Sequence, residues 1–239
     1  MIETRGIATV VIGLVRPHME KTKPPRGLWV PFALGRPLGA AGDPSFQHRV
    51  LGMALGLLER RDGPVLLSDF PDDAPDSTDV PGWRPQIALP ARGGTLPTHG
   101  QEWVNALGAE MAAVRPHWDA ARQRFRKTMV GNSRLPAEAW ADYAAGFLAG
   151  EVPASPVEGL SPAVLLRYVA DDLKSFYGEA VQAADPAPSS QQVNRWFWGE
   201  TVAGDFLRAI REAALQSPHN GFNTAGSRFV VPAPWVGKD

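Results

Sequence analysis

Apolar positions follow two patterns along this chain: short unbroken runs before residue 70 and helical-period stripes after residue 100. Ile7 to Val15 is a continuous run rich in Val and Ile, the pattern of a strand covered on both faces and therefore of parallel-sheet architecture. Two prolines between Lys21 and Arg26 predict an extended connection. Leu28 to Phe32 then predicts a second strand, which Pro31 confines to an edge or ends early. A loop with Gly35, Pro37, Gly39 and Gly42 leads to Asp43 and Pro44, an N-cap followed by proline at the first helical position. From Pro44 to Arg61 the residues Phe46, Val50, Leu51, Ala54, Leu55, Leu57 and Leu58 form a broad helical face. Asp62-Gly63 turns the chain into a third strand at Val65 to Leu67. This order predicts an α/β class, with a small parallel-sheet layer resembling half of a Rossmann unit.

The segment Asp69 to Asp79 holds five Asp and two Pro in eleven residues, which is loop composition. The expected organisation is an α/β region at 1–70, a linker at 71–100, a mainly helical domain at 101–217 and a C-terminal tail at 218–239. Helices are predicted at Gln101 to Arg115, Pro116 to Val130, Pro136 to Ala149, Pro162 to Ala184 and Gln191 to Gln216, with Pro116 either starting a new helix or kinking a long one. Ser161-Pro162 reads as a cap with a first-turn proline, and Ser189 with Gln192 as a capping box. Phe229 to Val231 reads as a short strand in a tail that wraps over the body.

Composition narrows the function mainly by exclusion. The 239 residues are 44% hydrophobic and 21% charged, with a formal net charge of −1, so no electrostatic argument favours nucleic acid or an acidic membrane. The apolar run at Ile7 to Val15 is too short to span a bilayer and lacks the flanks of a signal peptide, which makes the cytoplasm the expected location. There is no cysteine, and hence no disulfide, thiolate nucleophile or Cys-based metal site. The histidines at 18, 48, 99, 117 and 219 have no metal-ligand spacing, so neither metal nor cofactor is expected. Neither GxGxxG nor GxxxxGK[ST] occurs.

The residues Glu3, Gly6, Ile7, Thr9, Val10 and Val11, followed by KPPRGLWVPFALGRPLG and GDPSFQHRVL, resemble the carboxy-terminal part of the selenoprotein B component of glycine, sarcosine and betaine reductases. D-proline reductase is a relative of that component, and shorter bacterial homologues resemble this chain more closely. The resemblance covers about the first 70 residues through its PPR, PFxxGxPxG and DPxxQ elements. It implies an oxidoreductase-type subunit acting on a small amino-acid or amine substrate. It also implies a strand ending in a selenocysteine or cysteine motif, UxxC or CxxC in type, just before the helix that leads into the ExxGI strand, and this motif has no counterpart here. Reductive cleavage of a carbon-nitrogen bond needs such a nucleophile. The redox half is therefore expected on a thiol- or selenol-bearing partner, lost, or removed by a start placed downstream of a selenocysteine codon.

Several residues are candidates for the retained chemistry. The backbone of the loop from Gly39 through Gly42 to Asp43 could cradle a carboxylate or phosphate, with Arg26 and Arg36 as flanking clamps; alternatively, its Gly and Pro residues only shape the connection. His18, just past the first strand, is a titrating candidate where ligands sit in open α/β sheets, or else a solvent-exposed loop residue. Asp171, Asp172, Lys174 and Tyr177 share a helix, with Asp171 beside Lys174 and Lys174 beside Tyr177 on neighbouring turns, the pattern of a solvated face. In RWFWGET, Trp196 and Trp198 could line a pocket holding one acid, Glu200, with Tyr177 nearby, or could belong to the core. Two other readings stay open: an interaction module that kept the fold, and a thiol-free lyase using His18 or Glu200 as base. The apolar first strand needs covering, by the redox partner or by a homodimer mate.

Overall fold

The structure is a computed structural model that describes residues 2–32, 35–39, 42–73, 78–92, 95–184 and 187–237. Ala40 and Ala41 of the glycine loop lie outside the described residues, as do positions 74–77 of the acidic stretch. The protein is α/β, with a small parallel sheet followed by a mainly helical region. The chain divides into two compact units, Met1–Asp79 and Val80–Asp239.

In the first unit three strands, β1 (Val11–Gly13), β2 (Arg26–Trp29) and β3 (Leu66–Asp69), form a parallel sheet in the order β1-β2-β3. Helix α1 (Arg16–Thr22) connects the first pair and α2 (Pro44–Gly56) the second. Leu28, Val30, Phe32, Phe46, Val50, Ala54, Leu57 and Phe70 make the core, in which Phe32, Phe46 and Phe70 meet with ring centroids 5.4–5.7 Å apart.

In this unit one expectation is corrected and two are met in part. The strand from Ile7 to Val15 shrinks to three residues and is not buried on both faces. Val11 in this edge strand is 46% exposed, and Ile7 and Val15 on either side of it are 59% and 48% exposed. The connection after it gains an unexpected helix over 16–22, since Pro17 is tolerated in a first turn; the chain leaves that helix at Lys23 (φ 48), and the proline segment 23–25 is non-helical as expected. Of the two outcomes expected from Pro31, the structure has the early end: the second strand stops at Trp29 and is the central strand of the sheet.

Asp43 does cap α2, its carboxylate accepting the Phe46 N–H at 3.0 Å. Gly39 combines a positive φ of 81° with a close approach, since a Cβ there would stand 2.7 Å from the Phe46 ring. The glycine therefore lets the loop close over the start of α2.

The second unit is built from α3 (Gly100–Phe125), α4 (Trp140–Ala145), α5 (Pro162–Gln182), α6 (Ser190–Glu200), α7 (Val202–Gln216) and α8 (Asn220–Ala225). Pro116 lies inside the single helix α3. A buried face running from Leu107 through Met111 and Val114 to Trp118 and Ala121 holds both sides of it in register. That helix stops at Phe125, and residues 126–130 form a loop. The span Pro136 to Ala149 breaks into two 3₁₀ turns around α4. Ser161 and Ser189 cap α5 and α6 as expected, the latter with a complete capping box.

The predicted helix from Gln191 to Gln216 is two helices. The Thr201 hydroxyl donates to the Phe197 carbonyl at 2.6 Å and accepts the Gly204 N–H at 3.0 Å, closing one helix and capping the next. The predicted strand at Phe229 to Val231 is instead the end of a π-helical turn, Gly226–Val230. It seats Gly226 where a Cβ would lie 2.1 Å from that of Ala214. Residues after Asp79, expected as a linker, join this unit: Ile87 is in its core, and Gln192 bonds both the N–H and the carbonyl of Val80. Among the described residues no helix is long and apolar enough to cross a membrane.

Candidate functional site

Parallel pairing brings Gly13, Trp29 and Asp69 side by side at the carboxyl ends of the three strands. This is the edge where open α/β sheets bind ligands. Gly13 is required there by packing, since a Cβ would stand 2.0 Å from the Met19 sulfur, and the same methionine crosses Gly27 on the neighbouring strand. Met19 thereby seats α1 over the edge and delivers Arg16 to it.

The Arg16 guanidinium lies 5.9 Å from the centroid of the Trp29 ring. Its Nε donates to both Asp69 carboxylate oxygens at 3.2 and 3.3 Å, and Nη1 pairs with Glu20. The Trp29 Nε1–H is shut off from solvent with no acceptor among the described residues. Arg16 and its partners are 40–50% exposed, so each pair is worth about 0–1 kcal/mol. Such pairs open at little cost when a charged ligand competes. Sequence reading missed this set because Arg16 and Asp69 are 53 residues apart and only the sheet register joins them.

The sequence-derived candidates fall in several places. His18 is exposed on α1, not in a loop. Arg36 is exposed, and Gly39, Gly42 and Asp43 lead into α2, whose Phe46 packs on Phe70, the residue after Asp69. Arg26 does not flank that loop. It opens β2 at the opposite end of the sheet, pairing with Glu3 at 2.9 Å and donating to the Arg60 carbonyl at 3.4 Å. The Thr9 backbone N–H, followed by the Thr9 hydroxyl and Arg26, holds the Glu3 carboxyl below its ordinary value. Arg26 is thus committed to fastening the amino-terminal segment.

In the second unit Trp196 and Tyr177 are core side chains, 2% and 0% exposed, and Glu200 is on the surface. Trp198 is also buried but borders a cavity with Gly199. The solvated face holds only for Asp171 and Lys174, which pair at 2.9 Å on α5; Asp172 is fully buried and Tyr177 turns inward. Its hydroxyl donates to Glu110 at 2.8 Å, and that carboxylate also accepts the Val202 and Ala203 N–H groups at 2.7 and 3.0 Å. These are the first two amides of α7, where a carboxylate is favoured. Among the described residues no group of three or more His, Cys, Asp or Glu side chains is placed to hold a metal.

Burial pushes the Glu110 carboxyl above its ordinary value, and the Val202, Tyr177 and Ala203 donors offset part of that rise. A carboxyl with a raised folded pKa contributes stability that is fully present below its unfolded pKa. That contribution is lost as pH rises through the folded value. Tyr177→Phe removes one donor and raises the folded value further. The cost of this substitution is therefore expected to grow as pH rises from about 4.5 toward neutrality. Urea unfolding of both proteins at stepped pH checks this; a cost that stays constant across that range counts against the account.

Comparison with protein-family models, with curated proteins and with solved structures gave no match.

Proposed function

We propose that this chain is the substrate-holding, thiol-free component of a reductase-like system resembling selenoprotein B, in a cytoplasmic setting. The carboxyl edge of the sheet takes a small amino-acid or amine-type substrate, and the thiol or selenol comes from another polypeptide segment. The observation that carries this reading is the Arg16 guanidinium held over Trp29 between Asp69 and Glu20. A zwitterion complements both signs of that cluster: its carboxylate meets Arg16 in bidentate geometry, its ammonium meets Asp69 or Glu20, and the Trp29 ring walls one side. Arg36, Gly39, Gly42 and Asp43, which follow β2 in the chain, are proposed as further contacts. The zero cysteine count leaves the nucleophile to a partner.

Calorimetric titration of the full chain with glycine, D-proline, acetate and methylammonium tests the site. Binding of the zwitterions, and of neither half-charged compound at equal strength, is expected. Arg16→Gln should weaken that binding at least tenfold while shifting the unfolding midpoint by less than the worth of a surface pair, about 1 kcal/mol. Zwitterion binding that Arg16→Gln and Asp69→Asn both leave unchanged, or no zwitterion binding to the folded chain, overturns the reading. Turnover with a dithiol is expected only when a thiol- or selenol-bearing protein is added.

A further inference from the structure

A second site lies wholly within the helical unit, where the α6–α7 junction meets Arg92, Leu96 and the carboxy-terminal turns. A cavity of about 530 Å³ opens there, within the size range of small-molecule pockets. Trp198, Trp235, Leu96, Val231 and Val236 supply its apolar and aromatic walls, and Arg92, Asp205, Arg208, Arg211 and Glu212 its charge. We propose that this cavity binds a small organic monocarboxylate with an aromatic or branched apolar body.

The charge balance selects the ligand's sign. Among the described lining residues three guanidiniums face two carboxylates, leaving one positive charge, which suits a monoanion better than a dianionic phosphate ester. The two acids are not equivalent. Asp205 is nearly buried and fixed, pairing with Arg92 and with Arg208 at 3.3 Å, while Arg92 and Arg208 each donate to a backbone carbonyl, Gly199 and Trp198, at 2.7 Å. Glu212 is 66% exposed and meets only Arg211, at 2.7 Å, among the partners described. Arg211 therefore carries the exchangeable counter-ion, and an incoming carboxylate replaces Glu212.

Donor geometry points the same way. The Nε–H groups of Arg208 and Arg211, one turn apart on α7, are closed off from solvent and meet no acceptor among the described residues. Buried donors are normally satisfied. The Nε edge of a guanidinium is one of the faces that pairs with a carboxylate through two parallel bonds. A carboxylate in the cavity lets Arg211 turn that edge toward it, while the Trp198 ring, 5.7 Å from the Arg208 guanidinium carbon, stays as a wall.

The test is calorimetry on the full chain with three probes: phenylacetate, phenethylamine and inorganic phosphate. Phenylacetate is expected to bind, phenethylamine to bind at least tenfold more weakly, and phosphate to bind more weakly than phenylacetate. Arg211→Gln is expected to weaken phenylacetate binding at least tenfold, and Glu212→Gln to tighten it by removing the competitor. The opposite signs separate a binding effect from general damage to the fold, which circular dichroism of both variants monitors. Equal binding of the cation and the anion, tighter binding of bare phosphate, or unchanged phenylacetate affinity in folded Arg211→Gln each overturns the proposal.

Discussion

Asp172→Ala is expected to lower the thermal midpoint of the helical unit by roughly 10 °C, a loss of about 4 kcal/mol. Asp172 is fully buried on α5, and its carboxylate gathers the N–H groups of Gly131, Asn132 and Ser133 at 2.9, 3.0 and 2.9 Å and the Ser133 hydroxyl at 2.6 Å. That hydroxyl also meets the Trp140 indole N–H at 3.2 Å, tying the loop to α4. Removing the carboxylate strands these donors out of reach of water, which costs more than the bonds contribute when made. Ser133→Ala keeps three of the four bonds and leaves Trp140 the Leu135 carbonyl at 3.2 Å, so its cost should be about 1–2 kcal/mol. Scanning calorimetry ranks the two. A drop for Asp172→Ala no larger than that for Ser133→Ala would show that water replaces the carboxylate and that the cage adds little.

The second large effect is expected at Gly204, where alanine should cost about 3 kcal/mol or more. A Cβ at this position would stand 2.4 Å from the Phe197 carbonyl oxygen and 3.1 Å from the Trp198 Cα. Both are backbone atoms, so no rotamer change relieves the contact. The two helices would have to part, carrying the Val202 and Ala203 amides away from Glu110 and withdrawing the Thr201 cap. Gly199, five residues earlier, is the internal control, since a Cβ there meets nothing within 4 Å and its φ is not positive. Gly199→Ala should be neutral or slightly stabilising through the lower entropy of the unfolded chain. Urea unfolding with near-ultraviolet circular dichroism follows both, and equal midpoints for the two variants would rule out the steric argument.

The caps at Asp43, Ser161 and Ser189 were legible in the sequence because donor and acceptor lie within three residues of each other. The three strands were legible from their unbroken apolar runs, and the helical character of the second half from its period and its cap residues. The break at Thr201 was not, because threonine inside an amphipathic stripe looks like any other position. Glu110, which receives the freed amides of α7, is 92 and 93 residues away. The π-helical turn was misread as a strand because Phe229, Val230 and Val231 carry strand propensity, while the close contact of Gly226 with Ala214 decides the backbone. Propensity lost to packing there. At the sheet edge the punctuation residues drew attention to Arg26 and the glycine loop. Arg16 went unremarked beside Pro17 because its role depends on a register that no local pattern encodes.

The span between Glu110 and α7 bears on how the protein is made. A ribosome releases the chain from its amino end at about 5–20 residues per second. The sheet unit, complete by Asp79, has all its strands and core available early. The helical unit does not. Once α3 has emerged, its buried acid lacks two of its three donors until Val202 and Ala203 appear, and Tyr177 arrives only shortly before them. Vectorial folding is therefore expected in two unequal stages: the sheet layer first, then closure of the helical unit once the segment carrying Val202 and Ala203 has left the exit tunnel.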